Sequence, residues 1–353
     1  MFDTARLADE LDQMRARLRQ LSAAARELKL PSGPATPHEE LWRSGTARLY
    51  RYPAPDGSEG PPLLVVYSLV NRPDILDFTP QRSVLASLRE TGSSVYLLDW
   101  GRPASGDRHL ALEDYIDGLL YDAVAHIRHR HGGAPVALLG VCQGGTLSLC
   151  YAALYPEHVR GLITLVTPVD FHAGNASLYH LSKYVDFDRF VDAYGLVPAN
   201  LLNVAYVGLK PFRILSQRYV DMLDIAEDPT ALADFMRMEQ WMYDSPDQAG
   251  EAFRQFAKRF YQDNDLVHDR LSLAGRPVRL SRLSMPVLNI YARDDHLVPQ
   301  ASALALGEHV PADRYRSIEF RGGHLAVFVT RRAHTQLYPA VGDWLRSLPA
   351  ASA

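Results

Sequence analysis

The segment Val136-Ala-Leu-Leu-Gly-Val-Cys-Gln-Gly-Gly-Thr146 constrains this chain more than any other stretch. A short apolar run passes, with no polar linker, into a glycine-flanked cysteine and then into helix-forming sequence, which is a strand feeding directly into a helix. Such a corner has room only for small residues. The helix packs back close to the strand, and the residue at the apex is forced out of the common backbone regions. Gly140, Gly144 and Gly145 meet that demand and leave Cys142 at the apex. There the thiol stands at a helix N-terminus, where the positive end of the dipole favours thiolate. The Gln143 backbone N–H is placed to meet negative charge developing on a substrate oxygen. Cys142 reads as a nucleophile; Cys150, two turns into the following apolar helix, reads as a packed side chain.

Along the body of the chain, short apolar runs alternate with longer amphipathic stretches, the pattern of a parallel sheet covered by helices on both faces. Strands are expected at Leu63 to Leu69, Ser94 to Leu98, Val136 to Val141, Leu162 to Val166, Val287 to Tyr291 and Tyr315 to Phe320. Helices are expected at Leu112 to His129, Thr146 to Tyr155, Ala301 to Glu308 and Thr335 to Leu345. From Phe171 to Arg282 the alternation stops, and the sequence is helix-like, rich in Tyr, Phe and Met, with no strand apparent. An insertion of that size after a strand reads as a cap, with Phe253, Phe256, Phe260 and Tyr261 in its packing. The expected layout is an α/β core over 39–170 and 283–353 and a cap over 171–282. Ahead of it, Leu7, Leu11, Met14, Leu18, Leu21, Ala25 and Leu28 mark an amphipathic helix over 1–30 with a heptad seam, followed by a linker over 31–38. That seam needs a surface, either this chain's own domain or another chain.

The 353 residues are 47% hydrophobic and 22% charged, a globular balance that excludes disorder and rods. Lys and Arg total 37 against 41 Asp and Glu, so no basic field is available to hold nucleic acid. Two cysteines cannot make a disulfide framework. The first residues alternate charges with Leu and Ala, and no run approaches the roughly 18 apolar residues of a membrane span. A soluble cytoplasmic protein is expected. Asn175-Ala-Ser177 would accept a glycan only in a secreted protein and reads as chance. His126, His129 and His131 fall at an expected helix C-terminus, which favours imidazoles, and no partner stands at a metal-ligand spacing, so no metal is expected.

A cysteine nucleophile needs a base and a group to orient it, which in folds with a strand–elbow–helix follow in the order Asp, then His, in later loops. The strand Met285 to Tyr291 leads into Ala292-Arg-Asp-Asp-His-Leu-Val-Pro299, and the last strand leads into Arg321-Gly-Gly-His324. His324 is the expected base, its glycines letting the ring reach over the strand ends. Asp294 or Asp295 would fix its tautomer; spacing does not choose between them. His296, beside them, is either a hydrogen-bonding support or a plain loop residue. A second oxyanion donor is expected from the loop after Leu63 to Leu69, at the Val70 backbone N–H. Together these features point to an α/β-hydrolase fold with a large inserted helical cap.

The blocks Gly140-Val-Cys-Gln-Gly-Gly145, Tyr67-Ser-Leu-Val-Asn-Arg-Pro73, Val95-Tyr-Leu-Leu-Asp-Trp-Gly101, Val166-Thr-Pro-Val-Asp-Phe171, Ser245-Pro-Asp-Gln-Ala-Gly250, Asp295-His-Leu-Val-Pro299 and Gly322-Gly-His324 closely resemble polyhydroxyalkanoate synthases. The resemblance covers Leu41 to Leu348. Length and the Ser-Pro-Asp-Gln-Ala-Gly block look like the catalytic subunit of the two-subunit, class III enzymes. It implies that Cys142 is the acylated nucleophile, that His324 activates it, and that Asp295, rather than Asp294, is the general base or orienter. It also implies an (R)-3-hydroxyacyl-CoA substrate, short units such as 3-hydroxybutyryl being the expectation, no cofactor, and a polyester product. A second subunit of the PhaE or PhaR kind, a homodimer and a cytoplasmic place at the polyester granule surface follow as further implications. Residues 1–30 match no block of the family, and Leu325-Ala-Val-Phe328 departs from the Ile-Gly-Ile-Tyr expected there. Two other readings stand beside this one: a Cys-Asp-His hydrolase or thioesterase of the dienelactone-hydrolase kind, which is smaller and lacks such a cap, and an inactive scaffold on a granule, which the full set of three residues argues against.

Overall fold

The computed structural model describes residues 35–54, 56–209, 220, 222, 224–225 and 227–349. The heptad-patterned stretch at 1–30 and most of the expected linker lie outside the described residues. Pro34–Ala199 and Pro246–Ala353 form one compact unit, and Asn200–Ser245 belong to a second.

The first unit is built on an eight-stranded sheet. Its strands are β1 (Glu39–Ser44), β2 (Ala47–Tyr52), β3 (Pro62–Val66), β4 (Ser94–Asp99), β5 (Val136–Val141), β6 (Val159–Leu165), β7 (Val287–Ala292) and β8 (Tyr315–Phe320). They lie in the order β1-β2-β4-β3-β5-β6-β7-β8. β2 runs antiparallel to β1 and β4, and every other neighbouring pair is parallel. All of β3 and all of β5 are buried, as strands covered on both faces must be, which is why they read as unbroken apolar runs. Helix α1 (Tyr121–Arg130) precedes β5, and α2 (Gln143–Leu154) follows it. Every residue of α2 is buried, so its sequence is apolar or small all round rather than on one stripe.

The strand order positions the site. From β3 the chain moves outward to β4, then crosses back to β5 on the other side of β3. The connections leaving β3 and β5 therefore diverge, and a crevice opens beyond the carboxyl ends of these two strands. The loop carrying Val70 follows β3, and Cys142 follows β5.

Several elements differ from the sequence reading. The hairpin β1–β2 was not among the expected strands; it turns at Gly45 (φ 56) and buries Ala47, Leu49 and Tyr52. Its short, charge-rich strands carry too little apolar periodicity to stand out. The strand expected over 63–69 ends at Val66, because the Tyr67 carbonyl accepts from Trp100 Nε1 at 2.9 Å and the chain leaves the sheet there. The stretch 171–282 was expected as one helical insertion without strands. Residues 171–199 and 246–282 instead fold within the sheet's own unit, with helices α3 (Phe187–Tyr194) and α5 (Gly250–Phe256). They include two-residue ladders, Leu196–Val197 with Gln248–Ala249 and Ser272–Leu273 with Arg276–Pro277. Two paired residues are too few to leave a periodicity. Phe256 and Phe260 stack at 4.5 Å and pack on Phe171, at 5.7 Å and 5.5 Å, so these rings are core. In the second unit, helix α4 (Pro229–Tyr243) is capped by Asp228, which accepts from the Thr230 and Ala231 amides at 2.9 Å and 3.1 Å. The last helix, α6 (Tyr338–Ser347), returns to the first unit.

The approach of α2 to β3 is close enough to exclude a side chain. A Cβ on Gly144 would lie 2.3 Å from the Val66 carbonyl oxygen and 2.4 Å from that of Tyr67. Backbone atoms in a central strand cannot yield as a side chain can. Gly144→Ala is expected to cost roughly 1–3 kcal/mol of stability, read as a lower midpoint in urea unfolding with little change in slope.

Candidate active site

Cys142 sits between β5 and α2 with φ 52 and ψ −124, a conformation that a non-glycine residue adopts only when its surroundings impose it. Its N–H donates to the Leu165 carbonyl at 2.9 Å, and its carbonyl accepts from Gly145 N–H at 2.9 Å, so the corner is held from both sides. A Cβ on Gly140 would lie 2.4 Å from Gly145 Cα, which explains a glycine ahead of the cysteine as well as behind it. The next turn is anchored by Thr146 Oγ1, which donates to the Pro168 carbonyl at 2.8 Å. Cys142 is partly accessible, whereas Cys150 is buried and its thiol is pushed up to about 12 by burial.

The loops after β7 and β8 bring the other expected residues together. The Asp294 N–H donates to the Gly322 carbonyl at 2.9 Å and ties one loop to the other. His324 Nδ1 lies 2.7 Å from Asp295 Oδ2. Asp295 Oδ1 accepts from the Leu297 and Val298 amides at 2.9 Å and 3.0 Å, so the carboxylate is fixed by its own loop before it meets the imidazole. The Asp295 side chain is fully buried while Asp294 is exposed, which decides the alternative that spacing left open. His296 is half-buried in the same loop.

The Cys142 sulfur is also near enough to the imidazole to act on its charge. With Nδ1 turned to Asp295, that leaves Nε2 for the sulfur. Burial opposes a charge on His324, but the Asp295 carboxylate and then the Cys142 sulfur outweigh it and lift the imidazole to about 10. At neutral pH the ring keeps its second proton in a site almost closed to water.

The oxyanion side is more tightly wired than the sequence suggested. The Gln143 side chain reaches back to the loop after β3, where its Oε1 accepts from Leu69 N–H at 2.9 Å and from Ser68 Oγ at 3.3 Å. The Val70 N–H donates to Ser68 Oγ at 3.0 Å, so this expected oxyanion donor already has a hydroxyl partner. Sequence reasoning considered only the backbone of Gln143 and passed over Ser68; a buried amide at an elbow was the available signal. Tyr67, also unassigned, is buried, and its phenol is pushed well above the usual range by burial first and by Cys142 second. Pro246, Asp247, Gln248 and Ala249 line a narrow cavity together with Leu69 and Trp100. Four separated sequence blocks thus meet around the loop after β3. Among the described residues no group of three or more His, Cys, Asp or Glu side chains is placed to hold a metal ion. His131 instead faces Tyr96, with Nε2 2.8 Å from the phenol oxygen.

The raised pKa of His324 has a definite consequence for stability. Its folded value, about 10, lies above the ordinary 6.5, so its contribution is present in full below pH 6.5 and is lost as pH rises through about 10. Asp295→Asn removes the largest group lifting it. The difference in Tm between the wild-type protein and Asp295→Asn is expected to be widest near pH 6 and to narrow steadily toward pH ~10. A constant difference across that range contradicts the assignment.

The α/β-hydrolase fold family model matches residues 61–330. The chain is 44% identical over 313 residues to "Poly(3-hydroxyalkanoate) polymerase subunit PhaC" of Allochromatium vinosum, covering 88% of each. It is 44% identical over 318 residues to the protein of the same name from Synechocystis, covering 88% of this chain and 84% of the other. Among solved structures, a thermophilic esterase from Thermogutta terrifontis superposes with a TM-score of 0.53 at 15% identity, covering 88% of this chain and 98% of that one, a likeness of fold.

Proposed function

The chain belongs to the poly(3-hydroxyalkanoate) polymerase PhaC family, acyltransferases of polyhydroxyalkanoate synthesis, and from that premise we propose that it lengthens the polyester through a thioester on Cys142. The observation that carries this reading is the single imidazole shared by two partners. His324 is hydrogen-bonded to the buried Asp295 at 2.7 Å and has its charge favoured by the Cys142 sulfur at the elbow.

In the proposed cycle, the Cys142 thiolate attacks the carbonyl carbon of a 3-hydroxyacyl-CoA. Charge on the carbonyl oxygen is met by the Gln143 N–H and by the Val70 N–H, which exchanges Ser68 Oγ for the substrate oxygen. As the tetrahedral adduct collapses, the C–S bond to CoA breaks and the departing sulfur takes the proton from His324. Acylation removes the negative sulfur that helped to lift the imidazole, so the neutral ring becomes available as a base. It takes the proton of a chain-end or substrate hydroxyl. That oxygen attacks the Cys142 thioester, an ester forms, and the sulfur leaves as thiolate beside the recharged imidazolium. The sum is hydroxyl plus acyl-CoA to ester plus CoA thiol.

The helical sequence over 171–282 is the proposed material for keeping water from the thioester. A short (R)-3-hydroxyacyl unit, 3-hydroxybutyryl foremost, a second subunit of the PhaE or PhaR kind, a homodimer and a place at the granule surface complete the proposal on the strength of family resemblance. No helix among the described residues is long and apolar enough to cross a membrane. The heptad-patterned residues 1–30 are the proposed contact for the second subunit, and their removal is expected to weaken its co-purification with the chain.

The test supplies (R)-3-hydroxybutyryl-CoA to the purified protein with a candidate second subunit and follows CoA release and product size. Insoluble polyester is expected, with loss of at least about 10⁴-fold in rate for Cys142→Ala. Release of free hydroxy acid alone contradicts the proposal in favour of a hydrolase. Gln143→Ala is expected to lower kcat about 10- to 100-fold with KM little changed, because the loop bearing Val70 loses its tie to the elbow. Gln143→Glu, which keeps an acceptor for the Leu69 amide, is expected to retain most of that rate.

A further inference from the structure

At the opposite end of the sheet from Cys142, a cavity of about 240 Å³ lies among the amino ends of the parallel strands. Pro62 opens β3, Ala137 is the second residue of β5 and Arg160 the second of β6; Thr91, Ser93 and Arg346 of α6 complete the wall. Five residues of strand separate Ala137 from Cys142, about 17 Å, so this cavity is distinct from the site described above.

Arg160 dominates the chemistry of this wall. Its guanidinium is half-buried, and burial alone depresses its pKa. Its Nε is buried with no hydrogen-bond partner. Its side-chain hydrogen bond, from Nη2 to the Leu345 carbonyl, is long at 3.5 Å. Among the described residues no carboxylate lies within ion-pair distance of it. Arg346, on the same wall, donates to the Thr91 carbonyl at 3.3 Å and to the exposed Asp343 at 2.6 Å. A half-buried guanidinium without a paired anion is less favourable than one that has such a partner. Two guanidiniums on one small cavity, with Thr91 and Ser93 in its wall, suit a compact oxyanion, because the planar fork pairs with two oxygens at once.

We propose that this cavity is a binding site for a small phosphoryl anion of the diphosphate class, held by Arg160 and Arg346. The volume exceeds what one inorganic phosphate fills and accommodates two linked phosphoryl groups. The site is separate from acyl transfer, and the proposal stands whether or not the Cys142 mechanism does.

The experiment measures Tm of the full chain against inorganic pyrophosphate, with potassium chloride at matched ionic strength as the reference. A saturable rise of roughly 2–4 °C at low millimolar concentration is expected, a magnitude that follows from mass action on the folded state. Arg160→Met, which keeps the apolar stem, is expected to abolish the rise, and the largely exposed Arg346→Gln to weaken it at least several-fold. The rate of Cys142 alkylation is expected to be the same with and without pyrophosphate. Absence of a saturable rise, or an equal rise in Arg346→Gln and Arg160→Met, overturns the proposal. Should Arg160→Met fail to fold, the Arg346→Gln titration decides.

Discussion

A cysteine held at φ 52 between a fully buried strand and a fully buried helix is the constraint on which the rest of this molecule depends. The left-handed backbone is unfavourable for a side chain, so it persists only because its neighbours leave no alternative. The strand β5 lies between two parallel partners, the helix α2 is enclosed along its whole length, and the glycines on either side let the two approach to backbone contact. In return the sulfur stands clear of the sheet, above the crevice where the connections from β3 and β5 diverge. Rigidity of the corner is what allows a single side chain to be presented to loops from three other strands.

Electrostatics then works against burial rather than with it. His324 is almost closed to solvent, which by itself favours the neutral ring, yet the Asp295 carboxylate and the Cys142 sulfur keep it charged. The balance is conditional on the sulfur. A thiolate beside the ring favours imidazolium, while a thioester in its place favours the neutral base, so the proton moves toward the group that needs it at each half of the proposed cycle. Asp295 can hold its side of this exchange because two amides of its own loop fix the carboxylate independently of His324.

Much of this was legible in the residues. The turn at Gly140 to Gly145, the order of acid and histidine, and the alternation that sets a parallel sheet all leave local signatures, since each depends on small residues or apolar runs at fixed spacing. What was not legible is tertiary. Whether Asp294 or Asp295 faces the ring depends on how one loop folds over Leu297 and Val298; spacing between adjacent identical residues carries no sign of it, and only the family resemblance favoured Asp295. The Gln143 side chain binds a loop more than seventy positions away in sequence, an interaction that no spacing within the box reveals. Val70 could be placed by its position after a strand, but the competing Ser68 hydroxyl appears only once that loop has its shape. The helical stretch 171–282 looked uniform because composition does not mark the change of unit at Asn200 and Ser245.

The central claim is that the growing acyl group is carried by the sulfur at the elbow. The most direct measurement is mass analysis of acid-quenched protein after a brief exposure to a limiting amount of a 3-hydroxyacyl-CoA, followed by peptide mapping. The account predicts one acyl adduct on the peptide bearing Cys142, labile to hydroxylamine and absent from that bearing Cys150 when the two are separated by fragmentation. Turnover of the CoA ester with no adduct on Cys142 at any quench time, and with an unimpaired Cys142→Ala variant, would contradict it.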